Sequence, residues 1–339
     1  APNPFRGFGA FLFLGNPRRF SHPLLCTVPT KCKTGSESFI FGTALALPFI
    51  DAIFFYSYNK NEILCDLFSH VLFAAGRSAG LPPKKGVPVR IRYYTHTEIG
   101  DRPCNEDRFS VCQTPSGYCF ALADGLGGLD RGEVAAELAC RTVTEYAAIL
   151  PEVSNQKLEQ MFWAAQQAIL ERQHAEHNET QMKTTLNVVL VDRRSLYWGH
   201  VGDSRTYYAE NGRLQQRTFD HSVTQMLSAI GQVADADIRF HEDRSKLLRV
   251  LGTPWTRSQV ELEPEQPLRG SQQLLLCTDG FWEYITEEQI QICLEESDNP
   301  RTWMENMLEL ISRNDHHSER DNRTAITVWI DDEKGGAAQ

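Results

Sequence analysis

Two kinds of pattern fill residues 89–332: short apolar runs and longer amphipathic stretches. The runs have strand length and stop at turn residues, so they predict strands at residues 89–96, 108–113, 118–123, 184–191, 196–201, 205–209, 273–278 and 324–330, with a shorter strand near residue 259. Apolar positions three and four residues apart predict helices at residues 132–150, 155–174, 286–294 and 300–312. The more polar residues 218–249 are also predicted to be helical, with Asp220 as the helix cap.

The order of these elements predicts the fold class. Strands follow one another closely, with Asn211-Gly212 as a hairpin turn, and the helices come in pairs. This order favours an α+β fold over a doubly wound parallel sheet, in which single helices alternate with strands. We predict one domain at residues 89–332, an extension at residues 1–88 and a tail at residues 333–339.

The extension has a different composition from the domain. Residues 1–88 hold 12 of the 18 phenylalanines and show no sustained helix or strand period. Residues 39–58 are long enough to cross a bilayer. However, Pro48 and Asp51 lie in the middle of this stretch, and a central Asp costs about 2.5–3.5 kcal/mol on insertion. A poorly ordered extension is therefore favoured over membrane attachment through residues 39–58.

The net charge limits the classes of binding partner, and the cysteine pattern indicates the cellular compartment. The chain has a formal net charge of -10, and no basic patch interrupts it, so we expect no nucleic-acid partner. Residues 1–88 carry 9 basic and 4 acidic side chains, whereas the rest carries 25 and 40. Nine cysteines without a CxxC pair indicate a reduced, cytoplasmic protein. Cys104, beside an acidic cluster, is the one thiol singled out as a candidate for reactivity.

Acidic residues recur where predicted strands begin or end. A single Asp-Gly after a strand is more often a turn than a metal site, but repetition changes that balance. If the strand ends converge at one edge of a sheet, the carboxylate oxygens of these residues suit a hard cation. The five positions are Asp107, Asp124, Asp203, Asp279 and Asp321.

Seven stretches in order resemble the metal-dependent serine/threonine protein phosphatases of type 2C, most closely the bacterial branch. They are RPCNEDRF (102–109), ADGLGG (123–128), KTTLNVVLVD (183–192), GHVGDSRTYY (199–208), DHSVTQML (220–227), LLLCTDGFWE (274–283) and DNRTAITVWI (321–330). The resemblance covers roughly residues 90–332. It implies a sandwich of two antiparallel sheets flanked by pairs of helices. It also implies hydrolysis of phosphoserine and phosphothreonine in proteins, the targets of a serine/threonine kinase, by in-line attack of a metal-bridging hydroxide.

The resemblance also implies residue roles. Asp124 would bridge two Mg²⁺ or Mn²⁺ ions, with the Gly125 carbonyl completing one of them. Asp279 and Asp321 would hold the first ion, and Asp107 the second. Glu106 would lie near the second ion and act through water. Asp203 and Asp279 match carboxylates that bind a third ion in bacterial relatives, and Arg102 matches the arginine that grips the phosphate.

The sequence departs from part of the family at Leu126. Many eukaryotic relatives have a histidine there, assigned as the acid that protonates the leaving alkoxide, and leucine cannot donate a proton. Water would have to supply that proton. His200 is interpreted as a core histidine rather than a replacement acid, and Ser204 and Thr278 as hydrogen-bonding support for neighbouring aspartates. Residues 218–249 match the variable flap beside the family's active site.

Two other functions remain open at this stage. One is a phosphatase-like module that senses phosphoproteins without turnover, although it would be expected to lose metal-ligand carboxylates. The other is a metal-dependent nuclease or small-ester hydrolase, whose nuclease form the acidic charge disfavours. For Arg102, the alternative to phosphate binding is a surface salt bridge with Asp101 or Glu106.

Overall fold

A computed structural model describes residues 89–127, 131–178, 181–314 and 319–332. The strands are β1 (Val89–Glu98), β2 (Arg108–Gln113), β3 (Tyr118–Ala123), β4 (Gly125–Leu126), β5 (Lys183–Thr184), β6 (Leu186–Val191), β7 (Ser195–Val201), β8 (Arg205–Glu210), β9 (Arg213–Arg217), β10 (Glu261–Leu262), β11 (Gln266–Pro267), β12 (Ser271–Cys277) and β13 (Arg323–Asp332). The helices are α1 (Gly132–Ala148), α2 (Asn155–Ala175), α3 (Val223–Ala229), α4 (Asp279–Trp282), α5 (Glu287–Glu295) and α6 (Pro300–Asn314). The predicted extension and tail lie outside these residues, so the domain boundaries stay a prediction.

The strands form two larger antiparallel sheets. One has the order β1-β13-β12-β8-β9, and the other has the order β10-β7-β6-β3-β2, with β11 also paired to β7. The short strands β4 and β5 pair separately with each other. This arrangement confirms the predicted α+β class with two antiparallel sheets.

Alternation along the buried strands explains the layered packing. In β3, Cys119 and Ala121 face a core shared with α1 and α2, whereas Phe120 and Leu122 face the opposite sheet. Strand β12 repeats this pattern, with its outer face packed on a core shared with α5 and α6. Strands that are buried on both faces read as continuous apolar runs. The result is the predicted sandwich with a helix pair on each side.

Residues 218–249 are less helical than predicted. They hold only α3 and a short 3₁₀ helix at Asp235–Phe240. The cap of α3 is Ser222, whose side chain accepts a hydrogen bond from the Gln225 N–H, so the prediction for Asp220 was wrong. Asp220 instead accepts two hydrogen bonds from the Arg205 guanidinium at 2.8 and 2.7 Å, with both side chains buried. A carboxylate that neutralises a buried arginine is not free to cap a helix.

A second correction concerns the predicted strand at residues 184–191. The strand is interrupted at Thr185, whose N–H donates to the Asp124 carbonyl at 2.8 Å. β5 therefore pairs with β4, and β6 pairs with β3 and β7. The capping box of α5 at Thr286 and Gln289 forms as predicted.

No helix within the described ranges is both long enough and apolar enough to span a bilayer. Residues 39–58, the predicted membrane candidate, lie outside those ranges.

The inter-sheet core yields a stability prediction. We expect Leu122→Ala to lower the free energy of unfolding by about 2–5 kcal/mol, because Leu122 is fully buried between the sheets and its loss leaves a cavity. The matched control is Ile149→Ala, because Ile149 is 77% exposed and its loss should change stability by about 0.5 kcal/mol or less. Urea unfolding followed by circular dichroism measures both. Equal effects of the two substitutions would contradict the layered packing.

Candidate metal centre and active site

Strand register brings the predicted carboxylates to one end of the sandwich. Pairing of Arg108 with Ala123 places Asp107 and Asp124 at the same end of one sheet. In the other sheet, pairing of Cys277 with Ala325 does the same for Asp279 and Asp321. The ends of the two sheets are then joined by side chains.

Thr278 makes the clearest connection between the sheets. Its hydroxyl donates to Asp107 Oδ2 at 2.9 Å and accepts from the Thr324 N–H at 3.0 Å. The Asp279 carboxylate also lies close enough to Asp124 to raise the pKa of that carboxyl. The predicted convergence of Asp107, Asp124 and Asp279 is therefore present, and Thr278 has the supporting role that the sequence indicated.

Glycine and asparagine allow the two sheets to approach this closely. A Cβ on Gly280 would lie 2.0 Å from the Asn322 carbonyl oxygen, so a larger residue would push Asp279 away from Asp321. The Asn322 amide donates to the Ile99 and Cys104 carbonyls at 2.8 and 3.0 Å, and its oxygen accepts from the Glu106 N–H at 2.7 Å. Asn322 thus holds the loop before Asp107 in place. The sequence alone gives this asparagine no role.

The backbone of Asp124 is held by threonines. Its carbonyl accepts from the Thr184 hydroxyl at 2.8 Å, and its N–H donates to the Thr185 hydroxyl at 2.9 Å. The Ser204 hydroxyl lies 2.8 Å from the Thr185 hydroxyl, so Ser204 supports Asp124 indirectly, through Thr185. A Cβ at Gly125 would lie 2.3 Å from the Gly132 carbonyl carbon, so only glycine fits beside Asp124.

Burial and mutual repulsion perturb this cluster strongly. Burial, followed by the charge of Asp279, raises the pKa of Asp124 well above its usual range. Burial raises the pKa of Asp107 to about 7 and that of Asp279 to about 6. Carboxylates in this arrangement favour either shared protons or bound cations.

Asp203 lies on the flank of this cluster. Its side chain is buried, and burial together with Asp279 raises its pKa well above the usual range. The Trp282 indole donates to the Asp203 carbonyl at 3.0 Å, and the Arg205 guanidinium stacks 3.5 Å above the Trp282 ring. The position next to Asp279 agrees with the pairing of these two carboxylates expected from the sequence.

The residues fit divalent metal ions. Asp107 Oδ1 is buried and has no hydrogen-bond partner among the described residues, so it has an unused acceptor inside the cluster. The donor set consists of carboxylate and carbonyl oxygens, which suit Mg²⁺ or Mn²⁺ better than zinc.

Arg102 lies at the rim of the cluster. Its Nη2 atom is 2.8 Å from Asp321 Oδ2, and 52% of the side chain is exposed. The alternative salt bridge to Asp101 is not formed, because Asp101 is bound by Arg320 at 2.9 Å. The guanidinium is therefore positioned beside a predicted metal ligand, and about half of it is open to solvent.

A separate His200, His221 and Glu261 cluster is a poor metal site. The two rings are stacked with centroids 4.5 Å apart and 15° between their planes. Lone pairs lie in the ring planes, so those of near-parallel rings do not meet at one ion. His200 is fully buried and donates through Nε2 to the Phe219 carbonyl at 2.8 Å, in agreement with a core role.

Leu126, half-buried on β4, offers no proton donor.

The fold and site together define a type 2C phosphatase-like sandwich with an oxygen-rich metal centre. A family model described as protein phosphatase 2C matches residues 96–320. The chain belongs to the protein phosphatase 2C family. This membership confirms the predicted family, fold class and enzyme class.

Individual relatives agree with the family match. The serine/threonine phosphatase stp of Listeria monocytogenes is 29% identical over 234 residues, which cover 67% of this chain and 90% of that protein. The serine/threonine protein phosphatase PstP of Mycobacterium tuberculosis is 30% identical over 214 residues, covering 62% of this chain and 40% of PstP.

Solved structures are similar over the same domain. The crystal structure of the M. tuberculosis phosphatase PstP/Ppp has a TM-score of 0.61 and 28% identity, and covers 70% of this chain and 97% of that one. A crystal structure of the PstP catalytic domain in complex with two manganese ions has a TM-score of 0.61 and 26% identity, and covers 72% and 100% of the two chains. The predicted pair of Mg²⁺ or Mn²⁺ ions agrees with the ions in that relative.

The raised pKa values yield a prediction for the metal-free protein. Between about pH 4 and pH 7 the folded state holds more protons than the unfolded chain, so the cluster lowers stability as pH rises through this window. We expect Asp124→Asn to melt at a higher temperature than wild type in EDTA at pH 7.5, by about 3 °C per kcal/mol of relieved repulsion. The gap should shrink at pH 5.

Differential scanning fluorimetry at both pH values measures this gap, and Asp298→Asn, an exposed aspartate in the loop before α6, is the control. Saturating Mn²⁺ should raise the wild-type melting temperature and leave that of Asp124→Asn nearly unchanged. An Asp124→Asn variant less stable than wild type in EDTA at pH 7.5 would show that burial of these charges does not destabilise the folded state.

Proposed function

We propose that this phosphatase hydrolyses phosphoserine and phosphothreonine in proteins phosphorylated by a serine/threonine kinase, with Mg²⁺ or Mn²⁺ as cofactor. The convergence of Asp107, Asp124 and Asp279 from two sheets into a buried, oxygen-only cluster is the observation that carries the proposal. The serine/threonine phosphatases among its relatives, and the two manganese ions of the PstP catalytic domain, support it.

The proposed ligand roles are those implied by the family resemblance. Asp124 would serve both ions, and the Gly125 carbonyl would complete one of them. Asp279 and Asp321 would hold the first ion, and Asp107 the second, with Glu106 nearby. Asp203 would join Asp279 at a third, weaker site, and its position on the flank of the cluster supports this role.

The chain's own residues have separate tasks in the reaction. When bound, the divalent ions neutralise phosphate charge and lower the pKa of a water. Arg102 presents a planar guanidinium that can hold two phosphate oxygens, and Asp321 orients it. Leu126 offers no proton donor, so the leaving oxygen takes its proton from water.

The alternative functions have less support. A non-catalytic sensing module is disfavoured because all five metal-ligand aspartates are retained. A nuclease is disfavoured because residues 89–339 carry 25 basic against 40 acidic residues. The six cysteines in the described part of the chain form no disulfide, which supports a reducing compartment such as the cytoplasm.

Removal of a ligand tests the metal assignment. We expect Asp279→Asn to lower Mn²⁺-dependent phosphate release from a phosphothreonine peptide by more than about 100-fold, which is the upper range for residues that only support metal ligands. EDTA should abolish release by wild type. Asp298→Asn should retain wild-type rates. The assignment fails if wild type releases phosphate at the same rate in EDTA.

Replacement of Arg102 tests phosphate binding. Arg102→Met should raise the KM for p-nitrophenyl phosphate by about tenfold for each charge-assisted hydrogen bond lost, with a smaller change in kcat. Arg141→Met, on the exposed surface of α1, is the control. A KM within twofold of wild type would assign Arg102 to the salt bridge with Asp321 alone.

A further inference from the structure

A preformed groove lies next to the proposed metal centre. It has a volume of about 670 Å³ and is lined by Leu126, Gly127, Lys183 and nine residues between positions 245 and 259. Volumes of about 300–1,000 Å³ are typical of ligand sites. Nothing in the proposed hydrolysis uses this groove.

Backbone pairing ties the groove to the catalytic end of the sandwich. Leu126 pairs with Lys183, one residue beyond the Gly125 and Thr184 pair. Thr184 pairs on its other side with Leu251 through hydrogen bonds of 2.9 and 3.3 Å. The groove wall therefore continues the ladder that carries the Gly125 carbonyl, and the Lys183 Cα lies within about 10 Å of Gly125.

The wall is held rigidly. Gln166 accepts from the Gly252 N–H at 2.8 Å and donates to the Thr253 carbonyl at 2.6 Å. The Trp255 indole donates to the Val250 carbonyl at 3.2 Å and packs edge-on against Trp163. A ligand would meet a groove that needs little ordering, which favours affinity.

The charge of the groove is opposite to that of the domain. Its described lining residues include two cations, Lys183 and Arg249, and no carboxylate. The Lys183 side chain makes no ion pair or hydrogen bond with the described residues. The Arg249 side chain is 43% exposed, and within the described part of the chain only its Nη1 atom has neighbours, with His221 Nε2 at 3.2 Å and Glu261 Oε2 at 3.9 Å.

We propose that this groove binds an acidic segment of the phosphoprotein substrate beside the phosphorylated residue, with Lys183 and Arg249 pairing its carboxylates. The proposal rests on the phosphatase function above. An extended peptide advances about 3.3 Å per residue, so the acidic side chains lie roughly two to four positions from the phosphorylated residue. Apolar contacts with Leu126 and Leu248 add to the pairing.

The composition of residues 1–88 offers no acidic excess to complement the two groove cations, because these residues carry 9 basic and 4 acidic side chains. The tail at residues 333–339 contains one Glu and one Lys and has no net charge to contribute. A substrate segment rich in Asp or Glu is the complementary occupant.

The test compares phosphothreonine peptides that differ only in their flanks: neutral, three Glu before the phosphothreonine, or three Glu after it. With saturating Mn²⁺ we expect the full chain to show a kcat/KM about fivefold to tenfold higher for one acidic peptide than for the neutral one, as two partly exposed ion pairs predict. The preference should weaken in 0.5 M NaCl because screening acts on such pairs.

Variants test whether Lys183 and Arg249 cause the preference for an acidic peptide. The double substitution Lys183→Met with Arg249→Met should bring the ratio of the acidic to the neutral peptide below about twofold, whereas Lys183→Arg with Arg249→Lys should keep most of it. Arg257→Met removes a cation from the same loop outside the groove and should leave the ratio unchanged.

The outcomes separate the two proposals. Turnover of p-nitrophenyl phosphate by each variant reports whether its metal centre is intact. Equal turnover of all three peptides by an enzyme active on p-nitrophenyl phosphate would overturn the groove proposal alone, as would a preference that survives the double substitution. A wild-type chain inactive on p-nitrophenyl phosphate would instead refute the phosphatase assignment.

Discussion

Burial of several carboxylates close to one another is the constraint on which the rest of this structure depends. Asp107, Asp124 and Asp279 come from different strand ends, and each would ordinarily be avoided in a protein interior. Holding them together requires Thr278 to link the sheets and glycine at position 280 to permit their approach. The fold thus keeps an unfavourable cluster in place, and bound divalent cations relieve it.

The same centre is coupled to the variable region at residues 218–249. Arg244 donates to Glu283 at 2.7 Å, and the Glu283 N–H donates to the Asp279 carbonyl at 3.0 Å. Arg205 joins Asp220 to the Trp282 ring, whose indole holds the Asp203 carbonyl. Charged contacts of this kind fix the flap relative to the metal centre. The proposed groove extends this arrangement toward the substrate.

Sequence patterns predicted the strands, the helix pairs and the acidic strand borders, because burial on both faces and helical periodicity leave direct traces in a sequence. They failed at Asp220, where a long-range pair with Arg205 overrode a local capping preference. The break at Thr185 and the role of Asn322 were also missed, because both depend on hydrogen bonds to residues far along the chain. The groove was not predictable from motifs, since only the pairing of Thr184 with Leu251 brings Lys183 and Arg249 to the same groove.

Proton release on metal binding is the most direct test of this account. Isothermal titration of the metal-free chain with Mn²⁺ at pH 6.5, in buffers of different ionisation enthalpy, counts the protons displaced. The account predicts binding of at least two ions with net release of protons, and less release at pH 8, because the clustered carboxyls titrate above their usual range. Two ions binding at pH 6.5 without proton release would contradict it, as would no binding at all.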